Sequence, residues 1–200
     1  MERQVRLGIE VLRGGGVVAF PTDTVYGLGA SVFGRKGVER VFRVKERPPH
    51  LPLPVLVADV SDLAGLVAEV PKLALKLAEH FWPGGLTLVL RRGPLAPPWV
   101  TAGGETVAVR IPDHPLALAL VRGLGAPLTG TSANRSGQPS PVTAAEVRQQ
   151  LGDGVDLFME GGRPPRGLES TVLDISGAAP RLLREGTIAR LELERAIGRF

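Results

Sequence analysis

Val17-Val18-Ala19-Phe20-Pro21-Thr22-Asp23-Thr24-Val25-Tyr26-Gly27-Leu28-Gly29 sets an unbroken apolar run directly before a proline and a polar Thr-Asp-Thr step. A short apolar run closed by a breaker predicts a buried strand, here Val17 to Phe20, ended by Pro21. The polar residues that follow a strand end belong to a loop on a rigid sheet, where binding groups concentrate. The same Thr and Asp side chains also suit a turn in which they bond their own backbone. Upstream, Val5, Ile9 and Leu12 recur at helical spacing until Gly14-Gly15-Gly16 stops the helix. A helix delivered onto a buried strand is the first unit of an α/β chain.

Further along, Val38, Val41 and Phe42 mark one face of a helix that leads into Lys45. Pro48 to Pro54 cannot be helical and predicts an ordered loop, with Leu53 to Ala58 as the next strand. Ser61 suits an N-cap, and Pro71 suits the first turn of the helix after it. Leu86 to Leu90 and Val107 to Ile111 read as strands separated by a Gly/Pro-rich loop from Gly93 to Gly104. His114 to Val121 predicts a helix ended by Gly123. Thr143 and Glu146 have capping-box spacing and open a helix to Leu151. Leu157 to Met159, Thr171 to Ile175 and Leu182 to Leu183 are the last strands, before a helix from Ile188 to Ile197. The sum is one α/β domain, 1–200, with a twisted mixed sheet flanked by helices.

Composition narrows the chemistry. The 200 residues are 44% hydrophobic and 22% charged, the profile of a globular protein with a real core. There is no cysteine, so disulfides, thiolate metal sites and thiol catalysis are excluded. The three histidines show no paired ligand spacing, and no protein-held metal is expected. Met1 to Gly16 lacks a signal-peptide pattern and no run is long enough to span a membrane, which predicts a cytoplasmic protein. The net charge of +4, mostly arginine, suits an anionic partner, but it equally suits an arginine-rich proteome.

The familiar nucleotide motifs are missing. No G-x-x-x-x-G-K-[ST] loop is present. Gly27-Leu28-Gly29 begins a dinucleotide fingerprint that fails at Val32. Gly130-Thr131-Ser132-Ala133-Asn134 approaches a nucleophile elbow but ends in asparagine. Polar groups remain at predicted strand and helix ends. Lys45-Glu46-Arg47-Pro48 reads either as a cationic helix end facing its dipole or as a cation pair able to hold a triphosphate. Arg110 ends an apolar strand and must reach water or an anion, because burying it unpaired is costly. Thr131 to Asn134 with Ser136 to Ser140 forms either a polar loop or a ring of donors around phosphate oxygens. Glu169-Ser170-Thr171 leads into a strand, and Arg184-Glu185-Gly186 follows the next.

In this order and spacing, these segments resemble the YrdC/TsaC family. The match takes in Phe20 to Gly29, Lys45-x-Arg47-Pro48, Phe81-Trp82-Pro83-Gly84, Thr106 to Pro115, Ser132-Ala133-Asn134, Glu169-Ser170-Thr171 and Leu183-Arg184-x-Gly186. The family's Lys/Arg/Ser/Asn tetrad falls on Lys45, Arg47, Ser132 and Asn134. The resemblance implies a YrdC-like fold with a large basic cavity. It also implies synthesis of threonylcarbamoyl-AMP from L-threonine, bicarbonate and ATP with release of pyrophosphate, for threonylcarbamoyladenosine modification of tRNA. By the same analogy Thr24, Arg110, Gly130 and Ser170 would hold threonine. Arg47, Thr106, Ser132, Ser140 and Arg184 would contact ATP, and Mg2+ would enter with the nucleotide. Downstream threonylcarbamoyl-transfer proteins would take the product, and a direct contact with tRNA or double-stranded RNA is a further expectation.

The sequence departs from the family at three places. Leu51 and Leu56 stand where an asparagine and a histidine are usual, and Gly85 replaces a proline. The chain ends at Phe200 without the second domain of longer members, which predicts the short, single-domain type. Two other readings compete. One is a double-stranded RNA or ribosome-binding module using the same basic cavity, recognisable by salt-sensitive RNA binding. The other is a carbamoyl-adenylate enzyme of the hydrogenase-maturation kind, against which the lack of flanking zinc-finger and acylphosphatase-like regions argues.

Overall fold

The computed structural model describes residues 1–161 and 167–200. Helix α1, Glu2–Arg13, stops at the glycine run. Strand β1, Val18–Phe20, is wholly buried and turns through 21–26 into β2, Gly27–Gly29, its antiparallel neighbour. Helix α2, Arg35–Lys45, buries Val38, Val41 and, in its last turn, Lys45. Strand β3 is only Val55–Leu56, shorter than the predicted Leu53 to Ala58. Pro52 and Pro54 have no N–H to offer a ladder.

The 3-10 turn Val60–Leu63 is capped by Asp59, whose carboxylate accepts from the Ser61 N–H, so Ser61 is not the cap. Pro71 is the N-cap of helix α3, Lys72–Phe81, and not a member of its first turn. Strand β4, Leu86–Arg91, is followed by a loop that contains a helical turn, α4, Pro98–Thr101. Strand β5 is Thr106–Arg110 and helix α5 is Pro115–Leu124. α5 runs past Gly123 and ends at Gly125, where φ is 69°. Gly123 has a different task, since a Cβ there would lie 2.3 Å from Ile9 Cδ1 and push α1 away.

Strands β6, Leu128–Thr129, and β7, Thr131–Ser132, flank Gly130. Thr143 caps helix α6, Ala144–Leu151, but Glu146 accepts from the Val142 N–H, so only half of the predicted box forms. Strands β8, Leu157–Phe158, β9, Thr171–Asp174, and β10, Arg181–Arg184, precede helix α7, Arg190–Ile197.

The α/β class and the mixed pairing match expectation, but the strands form two sheets. One has the order β7-β2-β1-β8 and the other β10-β9-β4-β5-β3-β6. Each combines parallel and antiparallel pairs. Val17, Leu28, Val38, Val55, Leu88 and Val109 belong to the larger core cluster, while Phe20, Leu56, Leu120 and Leu128 belong to a second. The chain leaves the six-stranded sheet at β6 and joins the four-stranded sheet at β7, crossing between them at Gly130. No helix among the described residues is long and apolar enough to cross a membrane.

Candidate active site

A cavity of about 450 Å³ opens beside this crossing. Thr24, Lys45, Arg47, Arg110, Gly130, Ser132, Asn134, Ser170 and Arg184 all line it. Sequence reading chose those positions from loops up to 160 residues apart, and folding brings them together. Several arrive at the end of an element. Arg110 closes β5, Ser170 precedes β9, Arg184 closes β10, and Lys45 closes α2.

Arg110 is 6% exposed and fully engaged along one edge. Its Nε donates to Gly84 O at 2.9 Å, Nη1 to Thr24 Oγ1 at 2.9 Å, and Nη2 to Asp23 Oδ1 at 2.6 Å. Asp23 Oδ1 also accepts from the Asp113 N–H. The Thr-Asp-Thr step is thus tied to the end of β5 as well as closed on itself, where Thr22 Oγ1 donates to Val25 O. Beside it, Ser170 Oγ lies 2.8 Å from Thr87 Oγ1 and accepts from Arg184 Nη2 at 3.2 Å.

Lys45 is 2% exposed. Its Nζ donates to Ser132 O, to Asn134 O at 2.7 Å and to Asn134 Oδ1 at 3.1 Å. Three acceptors match the three protons of an ammonium group. Burial, with the neighbouring Arg47 charge, brings its pKa down to about 7, against the opposing pull of Glu169. Asn134 Nδ2 in turn donates to Arg135 O and Gln138 O. Lys45 and Asn134 therefore fix the loop that presents Ser132.

Arg47 reaches the cavity because Glu46, between the two cations, adopts the left-handed conformation at φ 52°. The N–H groups of Glu46 and Arg47 close back on Arg43 O and Phe42 O, a helix-terminating pattern that usually takes glycine. The Arg47 guanidinium then donates to Leu51 O at 3.2 Å and Pro52 O at 2.8 Å, so the proline loop holds it. Leu51 lines the cavity. Leu56 packs under Gly130, where an added Cβ would come within 2.3 Å of Leu56 Cγ.

Two predicted residues stand elsewhere. Ser140 is not part of the lining but donates to Glu169 Oε1, which is, at 2.5 Å. Thr106 lies at the far end of β5, opposite Arg91, while Arg110 occupies the near end. Four residues of strand separate them by about 13 Å.

Sequence reading named the Glu169 segment without giving its carboxylate a place in the site. Glu169 lines the cavity and accepts from Ser140 and from Arg184 Nη1. Burial pushes its carboxyl up, but hydrogen bonds from Ser140 and Ser132 and the Arg184 charge outweigh it and hold the pKa below the usual carboxylate value. Asp23, the partner of Arg110, and Ser136 were read as members of polar candidate segments without individual roles. Ser136 Oγ is buried on the cavity wall with no hydrogen-bond partner among the described residues. Position in a polar loop was the only signal for either. No cluster of three or more His, Cys, Asp or Glu side chains able to hold a metal occurs among the described residues.

The Sua5/YciO/YrdC family model, described as telomere recombination, matches residues 10–186. This chain belongs to that family. Threonylcarbamoyl-AMP synthase of Bacillus subtilis is 46% identical over 98% of this chain and 57% of its own length. The crystal structure of Pyrococcus abyssi Sua5 complexed with L-threonine superposes with a TM-score of 0.96 at 41% identity, over 99% of this chain and 58% of that one. Escherichia coli YciO follows with a TM-score of 0.85 at 28% identity, covering 94% and 91%. The chain thus spans a little over half the length of the first two relatives.

Proposed function

We propose that this chain makes threonylcarbamoyl-AMP from L-threonine, bicarbonate and ATP, releasing pyrophosphate, for threonylcarbamoyladenosine modification of tRNA. The observation that carries this reading is the convergence of Lys45, Arg47, Arg110 and Arg184 with hydroxyl donors on one cavity. The names of the relatives and the threonine bound by the Pyrococcus protein support it.

Threonine's carboxylate and hydroxyl would lie against Arg110, Thr24 and Ser170, with the backbone at Gly130 closing that side. ATP phosphates would lie toward Arg47, Ser132 and Arg184, with Ser140 contributing once Glu169 releases it. Thr106 would meet only a part of the nucleotide that extends out along β5. Threonine's amine and bicarbonate give a carbamate with loss of water. A carbamate oxygen then bonds to the α-phosphorus as the bond to the pyrophosphate oxygen breaks. Such a step needs in-line positioning and neutralisation of charge, and no protein nucleophile. Lys45 and Asn134 act by keeping Ser132 in place. Magnesium belongs to the nucleotide substrate.

The test is pyrophosphate release from ATP, Mg2+ and bicarbonate with each amino acid in turn. Release that depends on L-threonine supports the reading, and release indifferent to the amino acid refutes it. Salt-sensitive RNA binding without any such release would favour the RNA-binding module instead.

A further inference from the structure

Glu169 has the only carboxylate among the described residues lining a cavity that also carries four cationic side chains. Its two oxygens are gripped by an unusual set for a side-chain pair. Oε1 accepts from Ser140 Oγ and Oε2 from Arg184 Nη1, and Ser132 lines the same cavity. Its charge is felt by both Lys45 and Arg47. A hydroxyl and a guanidinium on two anionic oxygens reproduce the surroundings of a phosphoryl group.

The fold has little need of this contact. Glu169 and Arg184 are 32% and 45% exposed in their side chains, and an ion pair so placed adds little to stability. The junction of β9 and β10 is held by a different residue. Buried Thr171 Oγ1 accepts from the Gly186 and Ile188 N–H groups and donates to Ile188 O. Arg184 Nε is separately fixed on Ser170 O.

We propose that Glu169 is a stand-in anion, keeping Ser140 and Arg184 in phosphate-binding geometry while the cavity is empty and lowering polyphosphate affinity because it must give way. This rests on the reading that the cavity takes a nucleotide. A negative charge a few ångströms from an incoming phosphate opposes it strongly, and the opposition is screened by salt.

The experiment is calorimetric binding of inorganic pyrophosphate to wild type, Glu169→Gln, Glu169→Ala and Glu169→Asp, first without divalent metal and then with Mg2+. Gln and Ala should tighten metal-free binding about tenfold or more at low salt, with the gain shrinking as salt is raised. Asp, which keeps the charge, should not tighten it. Unchanged or weaker binding by Gln overturns the proposal, as does equal tightening by Asp. Weakening confined to the Mg2+ titration also overturns it, because the carboxylate would then be a metal ligand. If Gln and Ala both unfold, the pair is structural and the proposal fails. A wild type that releases pyrophosphate with threonine while Gln binds no tighter defeats this inference alone.

Discussion

Replacing Arg110, a residue 6% exposed, by methionine removes three hydrogen bonds and strands the Asp23 carboxylate, 16% exposed, with only the Asp113 N–H among the described residues. Charged hydrogen bonds contribute about 1.5–3 kcal/mol each, but they share one side chain and do not add. Breaking a buried pair by deleting one partner typically costs about 3–5 kcal/mol, most of it the desolvated charge left behind. Arg110→Met should therefore lose about 3–5 kcal/mol, a large part of a total that is about 5–15 kcal/mol for a typical domain. Asp23→Asn keeps the acceptor for Asp113 and removes the charge. The double variant Asp23→Asn/Arg110→Met should recover about 1–3 kcal/mol relative to the sum of the single changes. Urea unfolding with a common m-value measures all four corners of the cycle. A loss under about 1 kcal/mol for Arg110→Met, or strict additivity, would refute the view that Arg110 ties the Thr-Asp-Thr step to β5.

Glu46→Gly should stabilise the chain by about 0.5–1 kcal/mol, since it relieves a left-handed φ of 52° at some cost in unfolded-state entropy; urea titration checks it. His114 Nδ1 accepts from the Leu116 N–H as the cap of α5, and burial holds its pKa below 6.5. Below pH 6.5 the unfolded chain binds a proton that the folded chain resists, so stability falls as pH drops through that window. His114→Asn keeps a capping acceptor and should flatten the fall in melting temperature between pH 7.5 and 5. Ser136→Ala removes a buried hydroxyl that has no partner among the described residues, so the empty protein should keep or slightly gain stability. Calorimetric titration with ATP should show weaker binding by that variant, and unchanged affinity would place Ser136 outside the nucleotide site.

Much of the site was legible because polar residues at element ends carry a chemical signal independent of exact strand boundaries. Lys45, Arg47, Ser132 and Asn134 meet as their pattern suggested. What escaped reading has a physical cause in each instance. β2, β6 and β7 are two or three residues long, too short for any period to show, and their pairings divide the strands into two sheets. Gly123 looked like a helix stop, but its lack of a Cβ serves the approach of α1. Glu169 and Asp23 gain their roles from arginines 15 and 87 residues away, which only the folded chain reveals. Thr106 shares a strand with Arg110, but lies at its opposite end.

The most direct measurement supplies the pure chain with L-threonine, ATP, Mg2+ and 13C-bicarbonate, and detects the nucleotide product by mass spectrometry. The cavity as described predicts a 13C-labelled threonylcarbamoyl-AMP from wild type, reduced tenfold or more in Arg47→Ala. Unlabelled AMP alone, or equal labelled product from wild type and Arg47→Ala, would contradict it.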